Sequence, residues 1–176
     1  MTAPSGQGLN AKQLGQSLLD YIVQAYSVAT DTEPLPARQI IAPGDIRLTA
    51  WDCALVQLSL VGVDLDVPQQ QPITPGRLKA TSVRHIALNV QIIRCVPTVD
   101  SKGAAPSAAK VTAAGLQALR DAGLLSQAMF EWVTRAVSPD SPMGILSAGV
   151  GSILPVGPQG GFAGVEGAVV VTGELV

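Results

Sequence analysis

One histidine, His85, and two cysteines, Cys53 and Cys95, are the natural candidates for nucleophilic catalysis or metal binding in this chain. A cysteine–histidine pair requires the sulfur and the imidazole to lie within hydrogen-bond reach. Alternating hydrophobicity places His85 and Cys95 on one predicted strand, about 33 Å apart at strand rise, and the strand pairing derived below places Cys53 beside Cys95. These residues therefore form neither a catalytic pair nor a zinc site, and we interpret His85 as a half-exposed strand residue.

The glycine-rich and acidic segments do not fit known ligand-binding patterns either. The glycines within residues 149–167 are not followed by the Gly-Lys-Ser/Thr sequence of a phosphate-binding loop. The element after them is a predicted strand, whereas a phosphate site requires the N-terminus of a helix. Leu154 occupies the position of the third glycine of a dinucleotide-binding pattern. Asp64 and Asp66 share a strand face without a third ligand nearby, which favours a solvated strand end. We predict no catalytic, cofactor-binding or metal-binding residues, and we predict that the protein is not an enzyme.

The composition of the 176-residue chain indicates one globular domain with a charge-poor surface. Only 14% of the residues are charged, against about 25% in an average soluble domain. The centres of protein interfaces are depleted of charge, so the composition favours a permanent oligomer. A net charge of −2 argues against the positively charged surface by which proteins bind nucleic acid. No apolar run approaches the roughly 20 residues of a membrane helix, and no secretory signal is visible, so we expect the cytosol.

Hydrophobic periodicity predicts an α+β domain over residues 10–176, preceded by a disordered or contact-forming arm over 1–9. Asn10 is a predicted helix N-cap, and Ser107 is a predicted start of a second, longer helix. The patterns predict, in order, a helix over 11–29, strands over 37–48, 51–66 and 83–96, a helix over 107–137 and a glycine-rich hairpin over 143–174. We therefore expect the order αβββαββ, a mixed and mainly antiparallel sheet, two amphipathic helices on one face, and long Pro/Gly-rich loops.

The strands over 51–66 and 83–96 are predicted to pair as a hairpin around residue 74. Partners then have numbers that sum to 148, which pairs Val56 with Ile92 and keeps the apolar residues on one face. The opposite face is polar but uncharged and consists of Gln57, Ser59, Asn89 and Gln91. Two interpretations stay open for it: a solvated outer face, or a subunit interface or channel lining, where charges are costly to desolvate.

The same register places Cys53 opposite Cys95, within bridging distance. Because the cytosol keeps thiols reduced, we expect two neighbouring free thiols with a structural role. Oxidation to a disulfide is expected only outside the cell.

The predicted helix over 107–137 carries two apolar stripes. The first consists of Val111, Gly115, Ala118, Ala122, Leu125, Met129, Trp132 and Ala136. The second consists of Leu116, Leu119, Gly123, Phe130 and Val133. Two stripes indicate burial on two sides, against the sheet and against something else.

Two segments are predicted to project from the domain as contact arms: the Pro-rich loop over 67–81 and the hairpin around 155–161. The predicted partner contacts in these segments are Gln69, Gln70, Gln71, Arg77, Lys79, Pro158 and Gln159.

Three stretches together resemble the tail terminator (neck) proteins of long-tailed phages that infect actinobacteria. They are Ala50-Trp-Asp-Cys53 with the strand ALVQLSL that follows it, LNVQIIRCVPTVDSKGAAPS at 88–107, and PVGPQGGFAGVEGAVVVTG at 155–173. The resemblance covers roughly residues 10–174.

The resemblance implies a structural virion protein without catalytic residues or cofactors. Terminators of this kind form a hexameric ring on the end of the tail tube, stop its polymerisation, and present a surface to the head–tail connector or stopper. The expected partners are further copies of the chain, the tail tube protein and the connector. DNA passes through such a ring without specific binding, and no membrane is involved. The implied location is the virion neck, after assembly in the host cytoplasm.

Two alternatives to a tail terminator stay open. One is another head–tail connector or stopper protein of the neck. The other, from a different class, is a small cytosolic α+β ligand-binding domain or enzyme, which a convergent pocket of titratable groups would support.

Overall fold

A computed structural model of the chain describes residues 10–30, 33–42, 54–66, 83–99, 101–141, 143–159 and 161–174. Its elements are α1 (Ala11–Val28), β1 (Arg38–Ala42), β2 (Leu55–Asp66), β3 (Val83–Cys95), α2 (Ala108–Ala136), β4 (Ile145–Gln159) and β5 (Phe162–Glu174). The fold is α+β, and the described elements follow one another in the predicted order.

Both helices begin at the predicted capping residues. The side-chain oxygen of Asn10 accepts hydrogen bonds from the backbone N–H groups of Lys12 and Gln13, at 3.0 and 3.4 Å. The hydroxyl of Ser107 accepts one from the N–H of Lys110 at 3.4 Å. These bonds satisfy N–H groups that have no acceptor within the first helical turn.

The five described strands form one mixed sheet in the order β1-β2-β3-β5-β4. β1 is parallel to β2, and the other neighbours are antiparallel. Leu58 pairs with Val90, which confirms the predicted register of β2 and β3. Between Leu60 and Gly62 a bulge shifts the pairing by one residue. Beyond this bulge the numbers of paired residues no longer sum to 148.

Both helices pack on the same face of the sheet and share one core with it. The core residues of β2, β3 and β5 that face the helices alternate along their strands, and a second, smaller cluster of Leu55, Ile93 and Phe162 is buried on the opposite face. The helix-facing residues pack against Leu18 and Ile22 of α1 and against Leu125 and Trp132 of α2. The fully or nearly fully buried strand residues of this core are Val56, Leu58, Ile86, Leu88, Val90, Ile92, Val165, Val169 and Val171.

Gly167 of β5 leaves room for the ends of two side chains, Ile153 of β4 and Met129 of α2. A Cβ atom built on Gly167 would collide with Cδ1 of Ile153 and would lie 3.0 Å from Sδ of Met129. A larger residue at this position would force both side chains to shift. This is a packing role for one of the C-terminal glycines.

The predicted C-terminal hairpin is confirmed, but its end does not project from the domain. β4 extends to Gln159, which pairs with Phe162 of β5, and Phe162 pairs with Cys95 of β3. Because β5 pairs with β3 along its whole length, the end of the hairpin lies beside the end of β3. The expectation of a projecting arm around residues 155–161 is therefore wrong, and the Pro-rich segment 67–81 lies outside the described residues.

Cys95 is disulfide-bonded, so the expectation of a free thiol at this position is wrong. That expectation rested on the reducing conditions of the cytosol, whereas cysteines at bridging distance form a disulfide wherever conditions are oxidising. Cys53, the other cysteine of the sequence, lies outside the described residues.

Candidate interaction surface

α2 buries one face against the sheet and exposes a second apolar face. Leu119 is 71% exposed, Phe130 is 66% exposed and Leu116 is 49% exposed. At 3.6 residues per turn, these residues lie on the side of the helix opposite to its buried residues. The second predicted stripe is therefore apolar and uncovered by the described chain, apart from Val133, which belongs to the core.

The exposed face of α2 also lacks charge. We call it the outer face and define it by the exposed positions 112, 116, 119, 123, 126, 130 and 134, which hold Thr, Leu, Leu, Gly, Ser, Phe and Thr. None of the five charged residues of α2 occupies one of these positions. The solvent side of a surface helix normally carries charged and polar residues, whereas an apolar, charge-free patch is typical of the centre of an interface.

A buried polar network lies on the opposite, inward side of α2. Asp121 is fully buried, and its carboxylate accepts hydrogen bonds from Nε and Nη2 of Arg94 at 2.6 and 3.0 Å. The Tyr26 hydroxyl donates to Oδ1 at 3.1 Å, and the Gln117 amide donates to the same atom at 3.2 Å. Arg94 also donates to the carbonyl oxygens of the 33–34 segment.

Each charged group of this network is compensated. Nη1 of Arg94 bonds to the Glu33 carboxylate at 3.4 Å, so all five N–H groups of Arg94 have acceptors. Burial and the neighbouring Asp121 charge raise the pKa of Tyr26, which keeps this hydroxyl protonated as a donor. The network ties α1, the 33–34 segment, β3 and α2 together, and it leaves no donor of Arg94 free for a ligand.

Sequence patterning missed this network because it assigned only apolar residues to the buried stripe. In the N-terminal half of α2, the buried positions are Gln117 and Asp121, while Val111 of the predicted stripe is 54% exposed. The burial of Asp121 was indicated by its spacing, since Asp121 lies one helical turn before the buried Leu125. Arg94 likewise follows Ile92 on the core face of β3.

The polar face of the β2–β3 hairpin is buried. Gln57 and Ser59 are 0% and 1% exposed and Gln91 is 8% exposed, so the interpretation of a solvated outer face is wrong for these three residues. The Gln91 amide donates to Oε2 of Glu166 at 3.0 Å. The amide atoms of Gln57 and the hydroxyl of Ser59 have no hydrogen-bond partner among the described residues. Each such buried polar group costs about 1–3 kcal/mol.

The remaining predicted residues do not converge on a reactive centre in the described structure. His85 is half-buried, with Nδ1 2.9 Å from the Thr172 hydroxyl oxygen, and Cys95 lies at the other end of β3. Pro158 is exposed and Gln159 ends β4. The predicted contacts Gln69, Gln70, Gln71, Arg77 and Lys79 lie outside the described residues.

Among the described residues, no group of three His, Cys, Asp or Glu side chains is placed to hold a metal ion. Neither described helix combines the length and apolarity that crossing a bilayer requires. No protein-family model matches the chain, and no curated protein matches its sequence.

Proposed function

We propose that this chain is a structural virion protein that forms a homo-oligomeric ring of six copies. The ring caps the end of a phage tail tube, stops its polymerisation and provides the interface to the head connector. The observation that carries this proposal is the outer face of α2, where Leu119 and Phe130 are largely exposed and no charge is present. Burial of this face by a neighbouring subunit would remove apolar surface from water.

Exposed apolar side chains on a second face of the chain favour a ring over a two-fold dimer. Leu154 and Val170 are 50% and 46% exposed. Leu154 pairs with Glu166, and Val170 pairs with Gly149, so by strand alternation both side chains lie on the sheet face away from the helices. Two different apolar surfaces on one chain favour a heterologous contact, in which one surface of each copy packs on the other surface of the next. Such contacts generate rings when the rotation closes.

The sequence resemblance supports the position of the ring in the virion. The stretches 88–107 and 155–173 resemble tail terminator proteins, and in this chain they include most of β3, the end of β4 and most of β5. A terminator acts by contact, with tube protein on one side and connector on the other. Under this proposal the protein is not an enzyme and is located in the neck of the particle.

Deletion of the gene from the phage that encodes it tests the proposal. A tail terminator limits tube growth, so electron micrographs should show tubes longer than those of the wild-type phage and without attached heads. Supplying the wild-type chain from a plasmid should restore tube length and head attachment. Tubes of normal length that fail to join heads would contradict a terminator and would favour a connector or stopper protein.

A further inference from the structure

A groove of about 670 Å³ opens beside the Arg94–Asp121 ion pair. One wall is the N-terminal half of α2, which presents the small side chains Ala113, Ala114 and Ala118 to it. The segment that follows β3 forms part of the opposite wall, with Val96 and Pro97. Small and apolar walls leave room for a polypeptide backbone and its side chains, and Leu116, which lines the groove, is the residue that it shares with the outer face of α2.

The side chains that line the groove carry more positive than negative charge. Lys110 and Arg120 both line it, are exposed, and form no ion pair with a described residue. The two carboxylates of the lining, Glu33 and Asp121, are already paired with Arg94. The groove therefore offers two uncompensated cations, and the N-terminal end of the α2 dipole adds to the positive potential.

We propose that this groove binds an extended, acidic polypeptide segment of a partner protein. Lys110 and Arg120 are ten positions apart, which is about 15 Å along the helix axis. In an extended chain, carboxylates about five residues apart span the same distance. The segment would place its small or apolar residues against the alanines and its two carboxylates on Lys110 and Arg120. This inference does not depend on the ring, because the groove belongs to a single chain.

Fluorescence anisotropy of the full chain with a designed peptide tests the proposal. The probe is an Ala- and Pro-rich peptide of about ten residues with two glutamates about five residues apart, labelled with an uncharged fluorophore. A second peptide carries glutamine in place of both glutamates. We expect the glutamate peptide to bind about tenfold more tightly, with an affinity that falls as salt is added.

Charge reversal identifies the cations involved. Lys110→Glu combined with Arg120→Glu should weaken binding of the glutamate peptide by about tenfold. Lys12→Glu is the matched control, because Lys12 also stands in the first turn of a helix but lies outside the groove. A glutamate in the first turn is favourable for a helix, and Arg120 is exposed, so circular dichroism should show both proteins folded.

Obstruction of the groove gives an independent readout. Ala113 is exposed and lines the groove, whereas its exposed neighbour Thr112 does not. Ala113→Phe should weaken peptide binding, and Thr112→Phe should leave it unchanged. Equal binding of the two peptides, no binding of the glutamate peptide to the wild-type chain, or insensitivity to the charge reversal would overturn the proposal.

Discussion

Arg94 and Asp121 join the end of β3 to the middle of α2 through two hydrogen bonds of 2.6 and 3.0 Å. Only 1% of the Asp121 side chain and 14% of the Arg94 side chain are exposed to solvent. Since a charge in this environment needs its counter-charge, the pair fixes where the N-terminal half of α2 sits on the sheet. That half of α2 carries both Leu119 of the outer face and the wall of the groove.

Replacement of Asp121 by asparagine should destabilise the protein strongly. The substitution leaves the Arg94 guanidinium largely buried without its carboxylate partner, and the loss of one member of a buried ion pair typically costs about 3–5 kcal/mol. Urea denaturation followed by circular dichroism measures the free energy of unfolding. Asp140→Asn is the control, because Asp140 is exposed in the turn after α2.

The double variant Arg94→Met/Asp121→Leu separates the charge effect from a packing effect. Removing both charges leaves no buried ion unpaired, so the double variant should recover most of the stability that Asp121→Asn loses. Equal destabilisation of the single and double variants would contradict an electrostatic role for the pair.

The stability of the protein should fall above pH 10 through Tyr26. Burial, reinforced by the Asp121 charge, raises the pKa of Tyr26 above its ordinary value of 10.0. Above that pH the unfolded chain loses the tyrosine proton while the folded chain keeps it, so the unfolded state gains stability by about 1.4 kcal/mol per pH unit. In the Tyr26→Phe variant, the free energy of unfolding should fall less steeply with pH, because this contribution is absent. Equal slopes for both proteins between pH 9 and 11 would contradict burial of a protonated Tyr26.

Two alanine substitutions test the contact between β5 and α2. Gly167→Ala places a methyl group against Ile153 and Met129, and overpacking of this kind typically costs about 1–3 kcal/mol. Gly149→Ala is the matched control on β4, because a Cβ atom there meets nothing within 4 Å. Thermal unfolding should show a lowered Tm for the first variant and no loss for the second. An unchanged Tm for Gly167→Ala would contradict a tight fit of the Ile153 and Met129 side chains at this position.

The sequence was sufficient to predict the elements and much of the sheet. Alternation in β2 and β3 set their register, since a shift of one residue would bury Gln57 and Gln91 in the helix-covered core. Side-chain chemistry at Asn10 and Ser107 marked where both helices begin. The bulge between Leu60 and Gly62 was not predictable from alternation, because alternation does not show where one strand carries an extra residue.

The burial of residues that depend on partners far away in the sequence was not predicted. Asp121 is buried because Arg94, 27 positions earlier, neutralises it, and a pattern within α2 contains no information about that partner. For Cys95 the sequence predicted a second cysteine at bridging distance, but its redox state was inferred from an expected compartment and differs from the disulfide in the structure. The second apolar stripe of α2 was predictable from periodicity within the helix, and Leu119 and Phe130 of that stripe are exposed.

Lysine substitutions on the outer face of α2 should block assembly without unfolding the chain. Leu119 and Phe130 are exposed, so Leu119→Lys/Phe130→Lys should leave the free energy of unfolding within about 0.5 kcal/mol of wild type. Two cations in the centre of an interface should prevent incorporation of the chain into particles. Val28→Lys is the control, because Val28 is 73% exposed but lies on α1. Normal incorporation of the double variant would exclude this face as the subunit contact.

The number of copies of this chain in each phage particle tests the ring most directly. Quantitative mass spectrometry of purified virions, calibrated against a capsid or tail protein of known copy number, gives this value. The ring predicts six copies per particle, and these copies should be lost together in the Leu119→Lys/Phe130→Lys variant. A single copy per particle would contradict a homo-oligomeric ring.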